Sequence, residues 1–152
     1  MLDVARHDDG TPVSLATVAA RTDLSRAYLE QLAISLRNSR LLRGVCGKGG
    51  GYRLARPADE ITVRDIVEAA IGPINVVDCL EDPMTCMRVD FCECRPVYAL
   101  INNRVAEVLE GFTLANLLDP SWMRGGAATL EEEPAEVGAG QHERTTGRTG
   151  HR

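Results

Sequence analysis

Four of the five cysteines, Cys79, Cys86, Cys92 and Cys94, fall within sixteen residues in a C-x6-C-x5-C-x-C pattern among Asp, Glu and Pro. Thiolates are soft ligands that select zinc, Cu(I) or iron–sulfur clusters. Four thiols so close together in a loop-like stretch point to metal binding rather than packing. The spacing alone leaves the metal open. Structural zinc usually sits on paired C-x2–4-C knuckles, which this stretch lacks, and neither common ferredoxin spacing matches. A thiol redox enzyme is the rival from another class. Against it, the chain has no C-x-x-C pair, and its histidines, His7, His142 and His151, lie near the termini, far in sequence from the four clustered thiols. Cys46 stands apart and reads as a small strand residue.

A second chemistry lies upstream. The net charge is −5, but residues 1–56 carry +4 and residues 57–152 carry −9. An acidic chain therefore holds a basic module at its front, which points to nucleic acid. Sixteen of the seventeen basic residues are arginine. A GC-rich coding genome produces that skew, and guanidinium groups also suit two-pronged phosphate contact. The glycines of Gly47-Lys48-Gly49-Gly50-Gly51 do not make a nucleotide cradle. A P-loop needs Ser or Thr after the lysine, where Gly49 stands, and the dinucleotide fingerprint would need glycine at Tyr52. No nucleotide cofactor is expected.

The elements that position these residues follow from periodicity and caps. Ser14 caps a short helix over Leu15–Arg21, and Thr22–Leu24 turns. Ser25 caps a second helix to about Asn38 with Leu29, Leu32, Ala33 and Leu36 as one apolar stripe. Arg26, Glu30 and Arg37 fall on the opposite face. Two short helices around a tight turn, followed by a basic hairpin over Leu41–Cys46 and Tyr52–Arg56, form a winged helix-turn-helix. Thr62 with Asp65 starts a helix to about Ala70, and Ile74–Val77 reads as a buried connector. Pro96 suits the first turn of a long helix. On it Val97, Leu100, Ile101, Val105, Val108, Leu109 and Phe112 form one stripe of roughly 23 Å at 1.5 Å per residue. The small winged unit offers little surface to cover that stripe, so it reads as a dimer interface rather than a core helix.

The expected fold is mainly α with a small β-hairpin. A winged unit spans 1–56, a connecting helix and extended segment 57–78, a cysteine-rich loop 79–95, a dimerisation helix 96–118, and a disordered tail of Gly, Glu, Arg and Thr 119–152. No apolar run approaches the roughly 18 residues of a membrane span. The charged N-terminus does not suit a signal peptide. Clustered thiols without an export signal suit a reducing cytoplasm.

Ser25-Arg26-Ala27-Tyr28-Leu29-Glu30-Gln31-Leu32, Gly47-Lys48-Gly49-Gly50-Gly51-Tyr52-Arg53-Leu54, Asp78-Cys79 with two further cysteines, and Thr113-Leu114-Ala115-Asn116-Leu117-Leu118 occur in that order. Over residues 1–118 the chain resembles the winged-helix iron–sulfur transcriptional regulators typified by IscR and NsrR. The resemblance implies a homodimer on a palindromic operator, with a [2Fe-2S] or [4Fe-4S] cluster held by Cys79, Cys86 and Cys92. It puts Tyr28, Glu30 and Gln31 on the recognition helix. It also implies a first helix beginning about a dozen residues before Met1, so that helix reads as cut short here. Arg95 stands where some members place a fourth, histidine ligand, and Cys94 is the remaining thiol for that place. Cys46 occupies a wing position that often holds a minor-groove arginine.

The function expected on both grounds is a DNA-binding regulator, a repressor, whose operator affinity a cluster controls, with no catalytic residue. Arg26, Arg37, Arg43, Lys48 and Arg53 would contact phosphates. Glu30 and Gln31 would read bases, flanked by Ser25, Ala27, Tyr28 and Tyr52. The alternative in the same class is a zinc-stapled or cluster-free winged-helix regulator.

Overall fold

The structure, a computed structural model, describes residues 1–122. Its helices are α1 (Leu2–Arg6), α2 (Leu15–Thr22), α3 (Arg26–Asn38), α4 (Val63–Ile71), α5 (Arg95–Glu110) and α6 (Leu114–Leu118). Strands β1 (Leu42–Val45) and β2 (Gly51–Leu54) form one antiparallel hairpin. Single 3-10 turns lie at Ala58–Glu60, Asp78–Leu80, Pro83–Thr85 and Val89–Phe91. This mainly helical winged helix-turn-helix is the fold class that the sequence predicts.

The helices start where the sequence supplies caps. Ser14 Oγ accepts from the Thr17 N–H at 3.1 Å and Ser25 Oγ from the Tyr28 N–H at 3.2 Å, satisfying donors that a first turn leaves free. α3 ends in a Schellman reversal: Arg40 takes φ 57, its N–H donates to Arg37 O, and the Leu41 N–H donates to Leu36 O at 2.8 Å. The reversal drops Leu41 into the core, where it joins Val4, Val13, Val18, Leu29, Leu36, Leu42, Ile61 and Leu114.

The hairpin pairs Leu42 with Leu54, Arg43 with Arg53, Gly44 with Tyr52 and Val45 with Gly51. Its turn needs the left-handed region at Gly47 (φ +106) and Gly49 (φ +83), which favours glycine. The wing does not stand free. Val13, just before α2, exchanges two backbone hydrogen bonds with Tyr52, at 2.9 and 2.8 Å. At Gly51 a Cβ would collide with the Val13 carbonyl.

The stretch 96–118 is two helices rather than one. α5 stops at Glu110, and Thr113 opens α6 with a reciprocal capping box to Asn116. A strong start signal thus overrides the continuing apolar period, and Phe112 leaves the helical stripe for the turn, where its ring packs on Trp122 at 4.7 Å between centroids. Thr62 and Thr113 form an antiparallel bridge, with the Val63 N–H donating to Phe112 O and the Leu114 N–H to Ile61 O, both at 2.8 Å. The clasp returns α6 to the winged unit, against α1 and the turn at Ala58–Glu60.

The connector Ile74–Val77 is half-buried to exposed rather than buried. A side-chain amide holds it instead: the Val76 N–H donates to Asn102 Oδ1 of α5 at 3.1 Å. Of the expected tail, Asp119–Trp122 turn at the end of α6, with the Ser121 N–H on Asp119 Oδ1. The rest of that expectation, 123–152, lies outside the described residues. Among the described residues no helix is long and apolar enough to cross a membrane.

Gly51→Ala forces two backbones apart, and denaturant unfolding should show a loss of roughly 1–3 kcal/mol. α1 is held to α2 by a bidentate contact, Arg21 Nε to Asp3 Oδ1 at 2.9 Å and Nη2 to Oδ2 at 2.7 Å. The Arg21 hydrogen bonds lower the Asp3 carboxyl below its usual 3.8. The contact therefore stabilises fully above that value and is lost as pH falls through the depressed one. Asp3→Asn should lower stability by about 1 kcal/mol at pH 7, and the gap to the parent chain should narrow in unfolding curves taken below pH 3.8.

Candidate nucleic-acid interface and thiol loop

α3 buries Leu29, Ala33 and Leu36 and leaves Arg26, Ala27, Tyr28, Glu30, Gln31 and Arg37 exposed on the remaining face. Ser25 is the cap of this helix, so its hydroxyl is already engaged. Arg26 Nε donates to Glu30 Oε1 at 2.8 Å, a pair one turn apart with both members exposed. The exposed helix face and the wing meet in a cleft of about 490 Å³ lined by Ser14, Ala16, Arg26, Glu30, Gly50 and Tyr52, among others.

The wing residues differ in their freedom. Arg43 and Lys48 are exposed. Tyr52 packs its ring against the core and gives its backbone to Val13. Arg53, read from sequence as a phosphate contact, is engaged with Asp8, Nε to Oδ1 at 2.9 Å. Asp8 was not singled out by sequence, because an acid 45 residues upstream carries no periodic or motif signal. Cys46 is exposed just after β1.

The four clustered thiols sit on a segment whose regular structure is confined to isolated 3-10 turns. Cys79 lies in the turn Asp78–Leu80, Cys86 and Cys92 follow the next two turns, and Cys94 precedes α5. Cys79, Cys86 and Cys92 are half-buried, Cys94 is exposed, and all are free. Soft sulfur donors suit a metal or cluster. The Nε of Arg95, next to Cys94, is buried with no hydrogen-bond partner among the described residues, a donor of the kind an anionic sulfur centre satisfies. The single chain does not, however, gather the ligands: among the described residues no three His, Cys, Asp or Glu side chains are placed to hold one metal ion.

α5 has no buried residue. Val97, Leu100, Ile101, Val105 and Val108 are 36–59% exposed, and Leu109 is half-buried. With Arg104, the last five of these line an apolar groove of about 460 Å³. Exposure of this size on a regular helix marks an interaction face.

Comparison with known proteins agrees with this architecture. The Rrf2 family, described as "Iron-dependent Transcriptional regulator", matches residues 1–120. The regulator IscR of Sodalis glossinidius is 36% identical over 118 residues, covering 78% of this chain and 71% of that protein. CymR of Bacillus subtilis is 37% identical, covering 77% and 80%. Among solved structures, CymR, the global cysteine regulator of B. subtilis, superposes with a TM-score of 0.62 at 36% identity over 77% of this chain and 85% of that one. IscR of T. potens superposes with a TM-score of 0.60 at 32% identity over 88% and 83%. The chain belongs to the Rrf2 family and is a transcriptional regulator of that family.

Proposed function

We propose that this regulator works as a homodimeric repressor on a two-fold symmetric operator, and that an iron–sulfur cluster held by Cys79, Cys86 and Cys92, with Cys94 as the fourth thiol, controls its affinity. The observation that carries the dimer is α5, a regular helix without one buried residue, clasped at its far end to a winged unit whose recognition helix faces outward. A second copy of the same stripe is its self-complementary cover. A two-fold pair of winged units sets its recognition helices roughly 34 Å apart, one turn of DNA. Arg26, Arg37, Arg43 and Lys48 contact phosphates and fix register. Gln31 pairs with adenine and Glu30 accepts from cytosine, once Arg26 exchanges Glu30 for a phosphate.

The thiol loop is mechanically joined to the dimer helix, because the turn bearing Cys79 packs on α5 and Asn102 of α5 holds Val76. When bound, a cluster supplies a redox- and gas-reactive centre. The chain itself supplies thiolates, the Arg95 donor, and the link by which order in the loop reaches α5. Control of affinity then follows from differential stabilisation of two helix placements. A second reading, a cluster-free regulator, draws support from the ungathered thiols and from the similarity to CymR.

Selection from a random duplex library should enrich inverted repeats with half-sites about 10 base pairs apart centre to centre; enrichment of single half-sites, or none, removes the dimer reading. Protein isolated without oxygen should carry iron with matching sulfide and a visible absorption band that Cys92→Ala abolishes. A colourless parent protein supports the cluster-free reading instead.

A further inference from the structure

Arg43 and Arg53 stand directly opposite one another on the wing. Tyr52 and Leu54 pack on the core, and side chains alternate along a strand, so the two arginines share the outer face. Like charges so placed repel. Asp8, in the loop between α1 and α2, relieves that repulsion: its Oδ1 accepts from Arg53 Nε at 2.9 Å and lies 2.8 Å from Nη2, with the two side chains only 27% and 19% exposed. Arg43 has no carboxylate partner among the described residues. The Asp8 loop runs into Val13, whose two hydrogen bonds to Tyr52 lie beside the ion pair in β2. The segment that fixes the position of the wing therefore also supplies the acid that occupies its arginine.

We infer that Asp8 is a specificity-determining residue that withholds Arg53 from the DNA backbone, so that the outer wing face offers a duplex one free guanidinium instead of two. The inference rests on the DNA-binding reading above. Each phosphate neutralised raises affinity for any sequence alike and steepens its salt dependence. Base-edge contacts from α3 raise affinity for the operator alone. Engaging Arg53 internally lowers the first quantity and leaves the second untouched, which widens the gap between operator and bulk DNA.

The test measures binding of the full chain to a random-sequence duplex across a salt series, with thermal melting of each variant alongside. Arg53→Gln should leave the slope of log affinity against log salt at the parent value, because Arg53 is already withheld. Asp8→Asn should steepen the slope by about 0.9, the contribution of one phosphate. The double variant Asp8→Asn with Arg53→Gln should return to the parent slope, and Asp8→Glu, which keeps the pair, should not depart from it. A slope flattened by about 0.9 in Arg53→Gln overturns the inference, since Arg53 would then already contact phosphate. So does a gain in Asp8→Asn that survives in the double variant, which would come merely from removing an acid. An Asp8→Asn slope that stays at the parent value overturns it as well, since a freed Arg53 would then reach no phosphate; should Asp8→Asn fail to fold, Asp8→Ser carries the same arm. A parent chain that binds no duplex removes the DNA-binding reading itself, an outcome distinct from either slope.

Discussion

The two backbone hydrogen bonds of the Thr62–Thr113 bridge hold the molecule's two halves in one frame. Each threonine caps a helix, Thr62 for α4 and Thr113 for α6, and each stands beside a residue with no exposed surface, Ile61 and Leu114. Burial of two large aliphatic side chains stabilises by about 1.5–3 kcal/mol each, and the caps add about 1 kcal/mol apiece. These contributions act at one point in space, although Thr62 and Thr113 are 51 residues apart in sequence. Without the clasp, α5 would be aimed by the packing of α4 on it, the Asn102 contact and the Arg64–Glu110 ion pair at 3.6 Å. With it, the direction of the exposed helix is referred to the same core that orients α3.

The N-terminal segment serves the wing as the clasp serves α5. A two-stranded ribbon is marginal alone, and this one spans only four residues per strand with five glycine-rich turn positions. Val13 supplies a third short edge, Gly51 permits the approach, and Asp8 neutralises one of two opposed arginines. The wing's placement and the charge of its outer face are thus set by residues that precede α2.

The thiol loop follows the opposite logic. Its residues are held by local turns and by Asn75 on Glu81, while Met84, Met87 and Phe91 are almost fully exposed. Local turns close short rings at small entropic cost but bury little, so the loop contributes few packing contacts of its own. An element of that kind is one that a ligand or a partner surface can order, and its attachment to α5 lets such ordering be felt along the helix. The Thr62–Thr113 clasp thus anchors one end of α5, and a weakly packed loop adjoins the other.

Local sequence determined the recognition unit. Ser14 and Ser25 cap, Leu29, Ala33 and Leu36 fall on one face, and Gly47 and Gly49 meet positive φ, because caps, helical period and turns are decided within about four residues. The exposed stripe of α5 was legible for the same reason. Where α5 ends was decided by both: the Thr113–Asn116 capping box is a local signal, and the bridge to Thr62 rewards the break against an apolar period that runs on through Phe112. Tertiary structure alone decided that the Ile74–Val77 connector is half-buried to exposed and held by Asn102, and that Arg53 belongs to Asp8. Pairings across 26 to 51 residues leave no periodic trace in the chain, because their free energy depends on which surfaces the core brings together and not on neighbours in sequence.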